Sequence, residues 1–281
     1  MENDRRKTVM IRLATILALL FLSGVRAHSA DAENAPGAMV VAAEGAVVMD
    51  SFSGAILWEK NADHRYFPAS ATKILTALLV IESGHLDDFV TVELSDTKVE
   101  PSSLDLKPGE TYTRRQLLYG LLLKSANDVA MTLARDNAGS VTAFAEKMTQ
   151  RAAELGATDS HFMNPNGLHH PQHYTTPHDL ARIGRAAMQL PVFREIVRTQ
   201  TYDWQCPRGV VPLTNHNRLL ARYPGCIGLK TGFTNPAQQV LVSSALRDQR
   251  EYLAVVLHTN RPGIWVDSAR LLDFGFSSNQ F

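Results

Sequence analysis

Cysteine is scarce: the 281 residues include only Cys206 and Cys226, and neither sits in a C-x-x-C pair. That excludes a zinc framework built on thiolates and leaves room for one intramolecular disulfide at most. An excess of charge of one sign is missing too, with 28 basic residues against 28 acidic. A broad basic field is therefore excluded, and no nucleic-acid partner is expected. Aromatics make up 7%, charged residues 20% and hydrophobic residues 45%, a globular balance that excludes a disordered chain. No apolar run reaches the roughly 20 residues that a spanning helix needs. No H-E-x-x-H pair occurs: His161, His169, His170, His173 and His178 cluster without the spacing of a zinc hydrolase. No metal or other cofactor is expected.

What is present begins with a basic, apolar, small-residue order. Arg5, Arg6, Lys7 and Arg12 precede an apolar stretch from Leu13 to Val25, and Ala27, Ser29 and Ala30 follow. This is the order of a secretory signal peptide, expected over 1–30 and followed by a flexible leader over 31–37. An uncleaved anchor is the alternative. Export points to the periplasm or the extracellular side of the envelope. In an oxidising compartment a Cys206–Cys226 bridge is open, with no geometry yet to decide it.

Periodicity divides the rest. Two β-branched stretches between Ala38 and Lys60 flank Asp50-Ser51-Phe52-Ser53-Gly54 and read as a hairpin. Pro68-Ala69-Ser70 opens a helix to about Ser83 that is apolar on nearly every face, as a core helix is. A strand is expected over Val90–Leu94 and helices from Arg114 to about Glu154, with breaks near Ser125 and Gly139. Residues 157–176 read as a loop, and a helix follows over Pro177–Met188. Strands are expected at 199–204, 226–233, 239–246 and 252–259, before a last helix over Val266–Phe274. Strands at both ends around a helical middle predict an α/β layer with an inserted all-α lobe. The boundaries expected are an α/β part over about 38–75 and 177–281 and a helical lobe over about 76–176.

Three short patterns could carry chemistry. In Ser70-Ala71-Thr72-Lys73, helical spacing puts Lys73 beside the Ser70 hydroxyl. A serine needs such a base, and a lysine serves when burial or nearby positive charge lowers its pKa. Ser125-Ala126-Asn127 falls at a helix break, where Ser and Asn are also ordinary caps. Lys230-Thr231-Gly232 falls on a strand: Lys230 and Thr231 could meet a carboxylate, and Gly232 would let a substrate backbone come close. Each pattern alone is as well explained by caps and strand ends.

Together and in this order they form the set of penicillin-binding proteins and class A β-lactamases. Tyr66-Phe67-Pro68-Ala69-Ser70-Ala71-Thr72-Lys73, Leu106-Lys107-Pro108-Gly109-Glu110-Thr111, Asn164-Pro165-Asn166-Gly167-Leu168, His173-Tyr174-Thr175-Thr176 and Gly228-Leu229-Lys230-Thr231-Gly232-Phe233-Thr234 extend the likeness. From about Ala38 to Phe276 the chain resembles the D-alanyl-D-alanine carboxypeptidases, the low-molecular-mass penicillin-binding proteins. The resemblance implies a β-lactamase/transpeptidase-like fold, with a mainly antiparallel sheet flanked by helices. It implies removal of the terminal D-alanine from peptidoglycan stem peptides through an acyl-enzyme on Ser70, with β-lactams as covalent inhibitors. Lys73 would take the serine's proton, while Ser125 and Lys230 would pass one to the leaving amine. Asn127 would hold substrate and Lys73, Lys230 and Thr231 would meet the terminal carboxylate, and the N–H groups of Ser70 and Phe233 would hold the oxyanion.

Three departures qualify the likeness. Ala126 stands where the family often has glycine, Gln238 follows Ala237 where glycine is usual, and the arginine before the last helix is represented only by Arg261. Relatives with a β-rich second domain and a membrane-resting C-terminal helix continue past the equivalent of Phe276. A catalytic unit without a stable membrane anchor is therefore expected. An endopeptidase cutting D-alanyl cross-links is the nearest alternative. A class A β-lactamase would need a Glu-x-x-Leu-Asn run, and Glu146, Glu154 and Glu195 are in no such context. A non-catalytic peptidoglycan-binding relative would be expected to lack the nucleophile.

Overall fold

The hairpin around Asp50 forms as β1 (Gly45–Asp50) and β2 (Ile56–Lys60). Asp50 Oδ1 shapes its turn by accepting from the N–H groups of Phe52 and Ser53 at 3.0 and 2.8 Å. These strands belong to a computed structural model in which residues 39–278 are described; the signal peptide and leader expected over 1–37 lie outside them. A 3₁₀ turn, Ala69–Thr72, runs directly into α1 (Lys73–Glu82), whose residues from Lys73 to Val80 are all buried. The short strands β3 (Phe89–Thr91) and β4 (Thr111–Thr113) pair with each other. Next come α2 (Arg114–Tyr119), a π-helical segment Gly120–Lys124, α3 (Asn127–Ala138) and α4 (Val141–Glu154). Both expected breaks are present: Ser125 and Gly139 adopt left-handed φ of 64° and 77°. A capping box starts α2, with the Gln116 N–H on Thr113 Oγ1 and the Thr113 N–H on Gln116 Oε1.

The long loop ends at α5 (Pro177–Met188), where the Asp179 N–H donates to Thr176 Oγ1 at 3.1 Å. Then follow α6 (Pro191–Arg198), the hairpin β5 (Thr201–Cys206) and β6 (Gly209–Thr214), and α7 (Leu219–Arg222). The chain closes with β7 (Cys226–Thr234), β8 (Gln238–Arg247), β9 (Arg250–Thr259) and α8 (Gly263–Ser278). β4, α6, β6 and α7 go beyond the expected elements. Pro191 hides α6 because it sits in the first turn, where its missing N–H costs nothing. β6 contains Pro212 and buries only Leu213, so no alternation marks it.

Five strands form one antiparallel sheet in the order β2-β1-β9-β8-β7. Its central strand β9 is buried almost throughout. Its neighbours Tyr252 and Leu253 must point to opposite faces. Gly275 of α8 lies against Tyr252, whereas Gly184 of α5 lies against Leu253. Helices therefore cover both faces, which is why an antiparallel strand reads as a continuous apolar run. β7 stays at the sheet edge, and the Ser70 turn packs against it. Among the described residues no helix is long and apolar enough to cross a membrane.

The disulfide left open by the sequence does not form: Cys206 and Cys226 are both free thiols. They belong to different sheets, Cys206 at the end of β5 and Cys226 at the start of β7. Burial pushes the Cys226 thiol up to about 11, so it is a poor candidate for thiolate chemistry.

Candidate active site

Ser70 lies on the 3₁₀ turn and Lys73 is the first residue of α1, so helical geometry alone brings them together. Ala69, one residue earlier, is held at φ +45°, a strained conformation for a residue with a Cβ. Lys73 Nζ lies 3.0 Å from Ser70 Oγ, 2.7 Å from Asn127 Oδ1 and 2.6 Å from the Asn166 carbonyl oxygen. Lys73 is fully buried. Its pKa lies well below the usual lysine range because burial penalises the ammonium, and Lys230 adds repulsion that Asp128 opposes. A neutral amine has two N–H bonds and one lone pair. The two shorter contacts go to pure acceptors, so in that neutral form the lone pair would face the Ser70 hydroxyl, to which an ammonium would instead donate. The arrangement fits a base waiting for the Ser70 proton.

Asn127 reaches Lys73 because the π-helical segment ends in the left-handed turn at Ser125 and α3 starts two residues later. Its Nδ2 donates to the Glu100 carbonyl at 2.8 Å, and its N–H to that of Ser102 at 2.7 Å. The next residue, Asp128, is buried and accepts from the N–H groups of Leu104, Leu106 and Val129 at 2.9–3.2 Å. Asp128 thereby pins the polar loop against α3. Ser125 lines the cleft, but no hydrogen bond joins it to Lys73 or Lys230 among the described residues.

β7 supplies the facing wall. Lys230 is buried, its Nζ donates to the Thr231 carbonyl at 2.8 Å, and burial pulls its pKa down to about 7. Thr231, Gly232 and Phe233 line the cleft beside Ser70. Gly232 has a tighter reason for its identity than approach of a substrate. A Cβ there would stand 2.8 Å from the Ser70 nitrogen and 3.2 Å from that of Ala71. The close approach is by the Ser70 turn itself.

The cleft encloses about 730 Å³, and among the described residues no aspartate or glutamate lines it. Glu195 bonds Tyr119 and Glu154 bonds Arg151 and Gln150, away from Ser70. Arg261 does reach the cleft. So do Arg218 and His216, which sequence reasoning missed because they come from the loop before α7 and only folding brings them near Ser70. Arg218 Cζ lies 5.9 Å from the Trp265 ring centre. The cleft wall, then Lys230 and Lys124, push the His216 pKa down. The Asn166 carbonyl was also unforeseen as a partner of Lys73. Its only sequence signal is the turn-rich run Asn164-Pro165-Asn166-Gly167.

The sequence pattern of the family described as D-alanyl-D-alanine carboxypeptidase matches residues 29–261. The chain is 38% identical over 260 residues to D-alanyl-D-alanine carboxypeptidase DacB2 of Mycobacterium tuberculosis, covering 89% of each protein. A crystal structure of a D-alanyl-D-alanine carboxypeptidase from Mycobacterium tuberculosis superposes with a TM-score of 0.82 at 38% identity, over 86% of this chain and 94% of that one. A crystal structure described as a Streptomyces DD-transpeptidase gives 0.80 at 33% identity, over 85% of this chain and 98% of the other.

Proposed function

The chain belongs to the D-alanyl-D-alanine carboxypeptidase family, and from that premise we propose that it removes the terminal D-alanine from peptidoglycan stem peptides through an acyl-enzyme on Ser70. Ser70 Oγ attacks the carbonyl between the two D-alanines as its proton passes to Lys73. The N–H groups of Ser70 and Phe233 hold the oxyanion, each worth roughly 3–4 kcal/mol in the transition state. Collapse breaks the C–N bond, and the departing amine takes a proton by way of Ser125 and Lys230. Lys230 and Thr231 meet the terminal carboxylate, and Asn127 orients substrate and base. Water then cleaves the ester and frees Ser70. β-Lactams acylate the same hydroxyl.

The observation that carries this reading is the buried Lys73 amine, 3.0 Å from Ser70 with its other partners both acceptors. The lining, which holds no acid among the described residues, argues against a β-lactamase that relies on a carboxylate to activate water. The basic, apolar and small-residue order of 1–30 supports action outside the cytoplasmic membrane, in the periplasm or beyond. The likeness to a Streptomyces DD-transpeptidase favours a second reading, in which an amine instead of water takes the acyl group.

Uncross-linked pentapeptide muropeptides and D,D-cross-linked dimers, each incubated with the protein and with Ser70→Ala, separate the readings by mass spectrometry. Loss of one alanine from the pentapeptide, absent with Ser70→Ala, is the expected result. Dimers converted to monomers without that loss would mean an endopeptidase, and new dimers a transpeptidase. No change in either substrate would leave peptidoglycan binding as the better account.

A further inference from the structure

His173 is a buried ionisable group that the chemistry above does not use. Its neighbours in His173-Tyr174-Thr175-Thr176 have evident structural tasks. Thr176 caps α5, Thr175 exchanges backbone hydrogen bonds with Tyr66, and the Tyr174 ring lies under the Arg65 guanidinium. His173 instead reaches the nucleophile turn. Its Nε2 lies 2.8 Å from Thr72 Oγ1, and its Nδ1 is 3.1 Å from the Met163 nitrogen. The Met163 N–H can only donate, so Nδ1 must accept and the ring proton must sit on Nε2. One tautomer is fixed, with Nε2–H donating to Thr72.

Those two bonds join the nucleophile turn to the segment that carries Asn166. That segment touches the base directly, because the Asn166 carbonyl accepts from Lys73 Nζ at 2.6 Å. One turn along α1, Thr76 Oγ1 donates to the Pro165 carbonyl at 2.7 Å. Gly167, at φ +85°, leaves no room for a Cβ against the Ala69 carbonyl. Protonation of His173 would put an N–H against the Met163 N–H at a buried position. Burial, then His161, His170, His169 and Lys73, oppose that charge and hold the ring at about 3. The groups acting on Lys73 are Lys230 and Asp128.

We propose that His173 is a positioning residue for the general base: a neutral imidazole of one tautomer that bolts the Met163–Gly167 segment to the nucleophile turn and so keeps Lys73 dry and its lone pair on Ser70. The inference rests on the reading in which Lys73 takes the Ser70 proton.

The test compares the full chain with His173→Phe, His173→Gln and Thr72→Val, following Ser70 acylation by a fluorescent penicillin from pH 4 to 9. The Lys73 pKa is followed in parallel by carbon NMR on ε-labelled lysine, with Lys73→Ala to assign the signal. Expected for His173→Phe is a roughly 10- to 100-fold slower acylation at neutral pH, in line with the cost of about 1 Å of misplacement. Its acidic limb and the Lys73 titration should both move up by about one pH unit as water reaches the amine. His173→Gln, which keeps a donor for Thr72, should restore part of the rate. Thr72→Val, which leaves the ring in place, should reproduce the direction of both shifts and carries the test if His173→Phe does not fold. Lower thermal stability with acylation within twofold of the parent and an unmoved Lys73 titration would overturn the proposal. A parent that penicillin does not acylate would refute the enzymatic reading instead. The NMR titration would then still show whether His173 governs Lys73.

Discussion

One carbon added at Gly232 is a direct probe of how the Ser70 turn is held. The new Cβ would stand 2.8 Å from the Ser70 nitrogen, 3.1 Å from Ala69 Cβ and 3.2 Å from the Ala71 nitrogen. Ordinary contact begins near 3.4 Å, so the overlap at Ser70 is about 0.6 Å. Two of the three atoms are backbone in a short turn, and none can rotate away. Either β7 or the Ser70 turn must shift by about that much. Misplacement by about 1 Å costs on the order of 100-fold, so Gly232→Ala should acylate roughly 10- to 100-fold more slowly. Overpacking should also cost about 1–3 kcal/mol of stability, which for a domain of this size lowers Tm by roughly 2–10 °C.

Fluorescent penicillin acylation and calorimetry read the two effects separately. Gly139→Ala is the control: its φ of +77° makes alanine strained, yet nothing lies within 4 Å of the new Cβ. That variant should lose some stability and keep its acylation rate. A Gly232→Ala protein that acylates within twofold of the parent would refute the close-packing account. Unchanged Tm with slower turnover of peptides alone would return Gly232 to the simpler task of admitting a substrate backbone.

Other consequences can be measured on the same protein. The Asp128 carboxylate raises the Lys73 pKa, so Asp128→Asn should extend acylation to lower pH. It should also cost about 2–4 kcal/mol in urea unfolding, because an amide cannot accept from all the backbone N–H groups the carboxylate serves. Lys230 has a folded pKa of about 7 against an ordinary 10.5, so between those values the unfolded chain binds more protons. Stability should therefore rise with pH across pH 7–10.5, and Lys230→Met should flatten part of that rise in Tm measurements. Among the described residues neither Arg218 nor Arg261 has an ion pair, and both line the cleft. Either arginine changed to Gln should lower kcat/KM for a peptide with a free D-alanyl carboxylate roughly 10-fold relative to its C-terminal amide. An unchanged ratio in both would mean that the carboxylate is read elsewhere.

Much of this was legible because it lies in local spacing. Ser70 and Lys73 share a helical face, the apolar run after them makes α1 a core helix, and Asp50 to Gly54 spell a turn. Lys230-Thr231-Gly232 reads as strand from its flanks, and β7 bears that out. The less legible parts depend on backbone atoms or on distant contacts. The partner of Lys73 at position 166 is a carbonyl oxygen, which every residue type has, so no side chain marks it. Gly232 is legible as a place of close approach, but only folding reveals that the approaching group is the Ser70 turn. Arg218 is separated from Ser70 by about 150 residues, and no local pattern joins them. The two cysteines fit a bridge by spacing, yet the folded chain leaves both as free thiols, which spacing alone does not reveal.

On the proposed reading, the lack of acid among the described lining residues and a lysine acting as base have one physical cause. A carboxylate beside Lys73 would favour its ammonium and remove the lone pair that Ser70 needs. Asp128 is the acid with a resolved effect on Lys73, and its oxygens are occupied by the N–H groups of Leu104, Leu106 and Val129. Those bonds hold its charge on the loop side, while Lys230 pushes the opposite way from β7. The partners of Lys73 are then neutral oxygens, an amide, a carbonyl and the serine, which orient the amine without ionising it. Two buried lysines with no ion pair among the described residues are costly to a fold. A glutamate introduced into the lining next to Ser70 should therefore stabilise the protein and inactivate it, a trade-off expected of a site that works through a neutral amine.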